Sequence, residues 1–283
     1  MLKVNKGICC ILAVAIILLA VVAAVQNAAQ DEKGPVITFE SDTIEVSVKD
    51  GDSALLKGVS AQDDKDGNVS DSLIVENISD FDKDGYRTIT YAANDKSYNV
   101  TKKERKVSYT DYHSPRFSLT KSTTFYSSDS NINLADIIKA EDVFDGDISA
   151  FVKLTDDDIV LGQGGKYTAT VSVYNSAGDN ATLDLPLFIE SAYQNSSAPV
   201  INLTDYIVYL KKGDKKPKWK EYIESIKNRA NSSAQSSADK YKDMVDIDDS
   251  EVNMKEEGCY YVSYSYTNPD DLSVISRLIV VVE

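Results

Sequence analysis

One set of motifs recurs three times along the chain, and this recurrence limits the fold more than any other feature. Gly34-Pro35-Val36-Ile37, Ser114-Pro115-Arg116-Phe117 and Ala198-Pro199-Val200-Ile201 each open a segment, and their prolines are almost evenly spaced. A second marker follows in two of the three segments. Ala61-Gln62-Asp63-Asp64-Lys65-Asp66-Gly67-Asn68-Val69-Ser70 matches Ala140-Glu141-Asp142-Val143-Phe144-Asp145-Gly146-Asp147-Ile148-Ser149, one repeat further on. A third marker closes each unit. Gly85, Gly165 and Gly258 each begin an alternating run, and Asp95, Asn175 and Asn268 follow them at one constant spacing. Alternation after a glycine turn reads as a strand with one face buried. A last strand then follows over 102–109, 181–189 and 273–282.

Short alternating runs separated by Gly, Pro, Asp and Asn turns suit a β-sandwich. A period of about 80 residues exceeds that of solenoid repeats, so each unit is expected to be its own domain. Tyrosine is abundant, with 17 against 7 phenylalanines, which fits a strand-rich chain. The expected fold is all-β: three tandem immunoglobulin-like β-sandwich domains after a single N-terminal transmembrane helix. The first domain covers 34–112, the second 113–192 and the third 193–283.

The stretch 1–33 stands apart as a membrane anchor or signal segment. Lys3 and Lys6 precede an unbroken apolar run over 8–25. As a helix this run would reach roughly 27 Å, just enough to span a bilayer. A cleaved signal usually has a shorter apolar core, although Val22-Ala23-Ala24 meets the small-residue cleavage rule. The lysines put the N-terminus in the cytoplasm and the rest of the chain outside. Cys9 and Cys10 lie inside the run, which leaves Cys259 alone and excludes an intradomain disulfide.

At its markers the chain resembles the bacterial immunoglobulin-like repeats of the hyalin-repeat type, carried in tandem by Gram-positive surface proteins. The matching residues are Val59-Ser60-Ala61-Gln62-Asp63 with Asp66-Gly67-Asn68, then Asp142 with Asp145-Gly146-Asp147, and Asn175-Ser176-Ala177-Gly178-Asp179-Asn180. The resemblance runs from about Pro35 to Glu283. It implies a sandwich fold and a bacterial surface location, and it leaves the ligand open. The third unit lacks the Asp-Gly turn, and the stretch 211–244 stands in its place. Within it Trp219, Tyr222, Ile223 and Ile226 fall at helical spacing, and Pro217 suits a first helical position. A helical insertion is therefore expected at about 217–229, followed by a Ser- and Asn-rich loop over 231–239.

Three constellations carry chemistry. Asp63, Asp66 and Asn68, and likewise Asp142, Asp145 and Asp147, offer oxygen ligands to Ca²⁺ without the spacing of an EF-hand. The same residues equally suit turns in which carboxylates cap backbone amides and glycine takes a positive φ. Lys216, Lys218 and Lys220 around Trp219 form a candidate contact surface for a glycan, a cell-wall polymer or a surface protein, or else a solvated face with the indole docked inward. Enzyme signatures are lacking. His113 is the one histidine and falls in a linker before Ser114-Pro115, poorly placed for a Ser-His-Asp or Cys-His arrangement, and Gly162-Gln163-Gly164-Gly165 lacks the lysine of a phosphate loop. A net charge of −15 disfavours nucleic acid.

These features suggest a non-catalytic, membrane-anchored extracellular protein acting as an adhesion or spacer module. A module binding carbohydrate or cell-wall polymer is the alternative, and an accessory subunit of a membrane assembly is another.

Overall fold

A computed structural model describes residues 12–22, 31–127, 133–156, 163–191, 197–227 and 241–283. The stretch 12–22 is helical and exposed throughout. The remainder of the apolar run, Cys9 and Cys10 included, lies outside the described residues. So do Ala23 and Ala24 of the cleavage motif. Among the described residues no helix is long and apolar enough to cross a membrane. The spanning helix expected over 8–25 is therefore not among them.

The chain divides into two compact units, Met1–Asp111 and Tyr112–Glu283. In the first, β1 (Val36–Phe39), β3 (Val59–Asp63) and β4 (Gly67–Asn68) form one antiparallel sheet. The second sheet runs β2 (Thr43–Val46), β7 (Val100–Tyr109), β6 (Arg87–Asn94) and β5 (Ile74–Ile78), with β2 parallel to β7. Alternation puts Ile89, Tyr91 and Ala93 of β6 inward. They meet Ile37 and Ala61 of the opposite sheet and Leu55 of the helical turn Asp52–Leu55. The Tyr91 hydroxyl donates to the Leu55 carbonyl at 2.6 Å, which satisfies the one polar atom this ring carries into the core.

The second unit repeats this plan twice. β8 (Arg116–Leu119), β10 (Ile138–Asp142) and β11 (Gly146–Asp147) face β9 (Thr124–Tyr126), β12 (Lys153–Asp156), β13 (Gly165–Tyr174) and β14 (Asn180–Glu190). In the third repeat β15 (Val200–Leu203) pairs with β17 (Ile223–Lys227). Opposite stand β16 (Ile207–Leu210), β18 (Asp246–Asp248), β19 (Gly258–Thr267) and β20 (Ser273–Val282). The second strand of each repeat runs parallel to the last: β2 with β7, β9 with β14 and β16 with β20. Three β-sandwich repeats thus follow one another from Gly34 onward, alike in the strand order of their four-stranded sheets.

Repeats two and three also share apolar surface. Ile207 and Ile279 of the third belong to the core of the second, and Phe188 meets the Tyr261 ring edge-on at 4.7 Å. Arg277 lies 3.8 Å from the Phe188 centroid and pairs with Glu190 at 2.8 Å.

The helix expected at 217–229 does not form. Trp219–Tyr222 is a single 3₁₀ turn, and Ile223–Lys227 is strand β17; positions 228 and 229 lie outside the described residues. A β-bulge explains the misleading spacing. Leu203 pairs with Ile223 and Asn202 with Ser225, so Glu224 is the extra residue. The inserted residue sets Ile223 and Ile226 on the same face three apart, and both are buried. Strand period plus one reproduces helical spacing. The 3₁₀ turn is the counterpart of Asp52–Leu55 in repeat one, since each turn buries one large side chain ahead of an inner strand. The expected loop over 231–239 lies outside the described residues.

Candidate functional site

The end of the first sandwich gathers four carboxylates. Asp63 closes β3, Asp66 sits in the turn to β4, Asp95 begins the hairpin turn from β6 to β7, and Asp31 lies ahead of β1. One oxygen of each lies within 4.8 Å of the others. Backbone geometry explains the convergence. Gly67 takes φ +75°, a left-handed conformation glycine adopts without cost, and this closes the Asp66-Gly67 turn. The Asp63 carboxylate accepts the amides of Lys65 and Asp66 through one oxygen, Oδ1, at 2.8 Å each. Asp66 reaches across to accept the Lys96 amide at 2.9 Å. Asp95 accepts the Asn99 amide at 2.8 Å and the Asn99 side-chain amide at 2.7 Å. The Asn99 side-chain amide also donates to the Asp31 carbonyl at 3.0 Å, which ties the preceding segment to the hairpin.

Asp63 and Asp95 are 3% and 2% exposed. The second oxygen of Asp63, Oδ2, is buried with no hydrogen-bond partner, and so is Oδ2 of Asp31. Lys65 lies 3.6 Å from Asp31 and Lys96 lies 3.5 Å from Asp66. Only oxygen is offered here, which suits a hard cation.

Backbone amides, that of Asp66 first and Lys65 next, hold the Asp63 carboxyl below its ordinary 3.8. A depressed folded-state value contributes stability that is fully present above 3.8 and is lost as pH falls through the folded value. Asp82 and Asp111 are depressed in the same unit, by the Tyr86 amide and the Ser47 hydroxyl respectively. Urea unfolding is expected to show the first unit weakening below pH 4 (about the unfolded carboxylate value). Asp63→Asn should flatten part of that slope. An unchanged slope in Asp63→Asn would remove this role from the side chain.

Repeat two carries the same turn with a different outcome. Gly146 has φ +69°, and Asp142 accepts the amides of Phe144 and Asp145 at 2.8 and 3.1 Å. Its second oxygen accepts the Asn175 side-chain amide at 3.1 Å. Asp145 accepts from the Ser176 amide and hydroxyl at 2.6 Å each. The Asn175 amide also reaches the Tyr112 hydroxyl, which itself donates to Asp179 at 2.6 Å. Repeat three has Asn268 at this place, and its amide donates to the Ser197 carbonyl at 3.1 Å.

Of the residues expected to hold Ca²⁺, Asp63 and Asp66 therefore converge with Asp31 and Asp95. Asn68 turns away to accept the Ser70 amide at 2.9 Å, and Asp147 does the same for Ser149. Sequence reading missed Asp31 and Asp95. The signal available was the position at fixed spacing after the repeat glycine, which is Asp in the first repeat and Asn in the other two.

Trp219 is 7% exposed and packs among Ile201, Ile223, Ile226 and Leu278. Its indole N–H donates to Asp249 at 2.6 Å, and its carbonyl accepts the Tyr264 hydroxyl at 2.9 Å. Lys216 lies 3.3 Å from Asp249, Lys218 lies 3.5 Å from Glu221, and Lys220 pairs with Asp243. The indole face is thus turned to the core, and these three ammonium groups have carboxylate neighbours. Burial pushes the Cys259 thiol up to about 12, so it stays protonated. His113 is half-buried, with its ring Nδ1 2.9 Å from the Ser114 carbonyl oxygen.

No family model matches the chain, and no curated protein matches it. Solved structures show remote likeness. The CBM51-2 and INT domains of Clostridium perfringens ZmpB, in complex with GlcNAc, share 16% identity at a TM-score of 0.22, covering 53% of this chain and 26% of that one. The M60 catalytic domain of the same protein with CBM51-1 and CBM51-2 shares 12% at 0.23, covering 88% and 30%. Protocadherin gamma B2 cadherin domains 1–5 share 11% at 0.20, covering 89% and 60%. The chain spans about a quarter to a third of the length of the two clostridial chains. At such TM-scores these likenesses carry no argument about ligand or activity.

Proposed function

We propose that the chain is a non-catalytic bacterial surface protein, held in the membrane by its N-terminal segment. Its β-sandwich repeats, akin to those of the hyalin-repeat type, then act outside the cell as an adhesion or spacer module. One observation carries this reading: the apolar run 8–25, preceded by Lys3 and Lys6, leads directly into three consecutive sandwiches. Positive charge on one flank orients such a run with the repeats outside. The chemistry of the repeats agrees with a structural task. Their buried Asp and Asn side chains cap backbone amides, and the Cys259 thiol is half-buried with its pKa pushed up by burial.

The test is expression of the full chain in a Gram-positive host. Intact cells are treated with protease, and membranes are washed with alkaline carbonate. Repeats that are cleaved from outside while the N-terminal segment stays in the washed membrane would support the proposal. A chain that is protected in intact cells, or released by carbonate, would overturn it.

A further inference from the structure

We propose that Asp31, Asp63, Asp66 and Asp95 bind one divalent cation, best matched by Ca²⁺, which ties the segment ahead of the first sandwich to two of its turns. The site does not rest on the membrane location of the chain.

The unpartnered oxygen of Asp63 carries the argument. This residue is only 3% exposed, and its Oδ2 has no donor within the group that surrounds it. An ionised carboxylate is not left so in a folded protein unless a proton or a cation meets it. The second repeat shows what the first lacks. There the same oxygen, on Asp142, takes the N–H of Asn175. Asp95 stands where Asn175 stands, at the same spacing after the repeat glycine, and a carboxylate has no N–H to give. Two facing carboxylates replace a hydrogen-bonded pair, and a second orphaned oxygen arrives from Asp31. The three carboxylates of the sandwich are held in position by amides: Asp63 by those of Lys65 and Asp66, Asp66 by that of Lys96, and Asp95 by that of Asn99.

Ligand number and geometry separate the candidate ions. Ca²⁺ takes six to eight oxygens at about 2.3–2.6 Å in irregular geometry, so its outermost ligands lie about 5 Å apart. Mg²⁺ requires an octahedron at about 2.0–2.1 Å, roughly 4 Å across. The oxygens lie within 4.8 Å of one another, and a set of four carboxylates suits Ca²⁺, because Mg²⁺ dehydrates reluctantly and is usually held by one or two. Carbonyls or water would complete the shell.

The full chain in detergent, stripped with EGTA and dialysed, would be titrated with CaCl₂ by calorimetry and melted with and without the ion. One Ca²⁺ should bind per chain. At a hundredfold excess over Kd the first unit should melt on the order of 10 °C higher. Asp95→Asn should lower affinity at least about tenfold. Without calcium, that variant should melt no lower than the parent, because the new amide can donate to Asp63 as Asn175 does to Asp142. Asp63→Asn should lose binding as well. No heat and no shift with CaCl₂, or Asp95→Asn binding within tenfold of the parent, would overturn the site. Equal affinity for MgCl₂ would overturn its assignment to calcium.

Discussion

Replacing Trp219 with alanine will destabilise the second unit by about 3–5 kcal/mol, the usual cost of removing a buried tryptophan from a packed core. The indole fills the third repeat between Ile201, Ile223, Ile226 and Leu278, and its N–H satisfies Asp249. Truncation opens a cavity and takes a donor from a carboxylate that keeps Lys216 as its neighbour. Urea unfolding followed by circular dichroism would measure the loss; fluorescence would not serve, since Trp219 is the chain's one tryptophan. Lys218→Ala is the matched control. Its side chain is 85% exposed beside Glu221, and surface pairs of this kind contribute about 0–1 kcal/mol. A docking tryptophan would behave in the opposite way, leaving stability unchanged on truncation. Equal stability of the two variants would return Trp219 to the surface.

Much of the fold was legible because strand alternation and turn residues are local signals. The final strand expected at 273–282 coincides with β20, and those expected at 102–109 and 181–189 lie within β7 and β14. The Asp-Gly turns showed equally well, since Gly67 and Gly146 take the positive φ that such a turn needs. What misled was a pattern with two causes. A bulge at Glu224 spaces Ile223 and Ile226 as a helix would, and only the pairing of β15 with β17 separates the two readings. The lysines near Trp219 posed a similar ambiguity, because a run of charge does not say which acidic residues will face it. Asp249 and Asp243 lie far along the chain from Trp219 and Lys220, beyond the reach of any local pattern. The acidic cluster was half visible for the same reason. Asp63 and Asp66 share a turn, whereas Asp31 and Asp95 join them only when the sandwich closes.

The substitution Asn175→Asp will make the second repeat resemble the first and should destabilise it by about 3–5 kcal/mol at neutral pH in calcium-free buffer, the range for leaving a buried charge uncompensated. Asp142 and Asn175 are 3% and 7% exposed, so water cannot take over the role of the lost N–H. The Asp142 oxygen would then face a carboxylate instead of a donor. Tyr112 would still have Asp179 but would lose the amide that donates to its hydroxyl. The pH dependence has a definite sign. Repulsion and burial raise the folded-state pKa of the introduced carboxyl above its unfolded value of about 3.9. The folded state then binds more protons than the unfolded state, so the penalty is absent below that value and grows as pH rises through the folded pKa. Urea midpoints of variant and parent, compared across the range from acid to neutral pH, should converge in acid and separate toward neutrality. A variant as stable as the parent at neutral pH would show that this turn tolerates two facing carboxylates without a counterion. The orphaned oxygen of Asp63 would then no longer call for a cation, because the same pair would have been shown to stand alone.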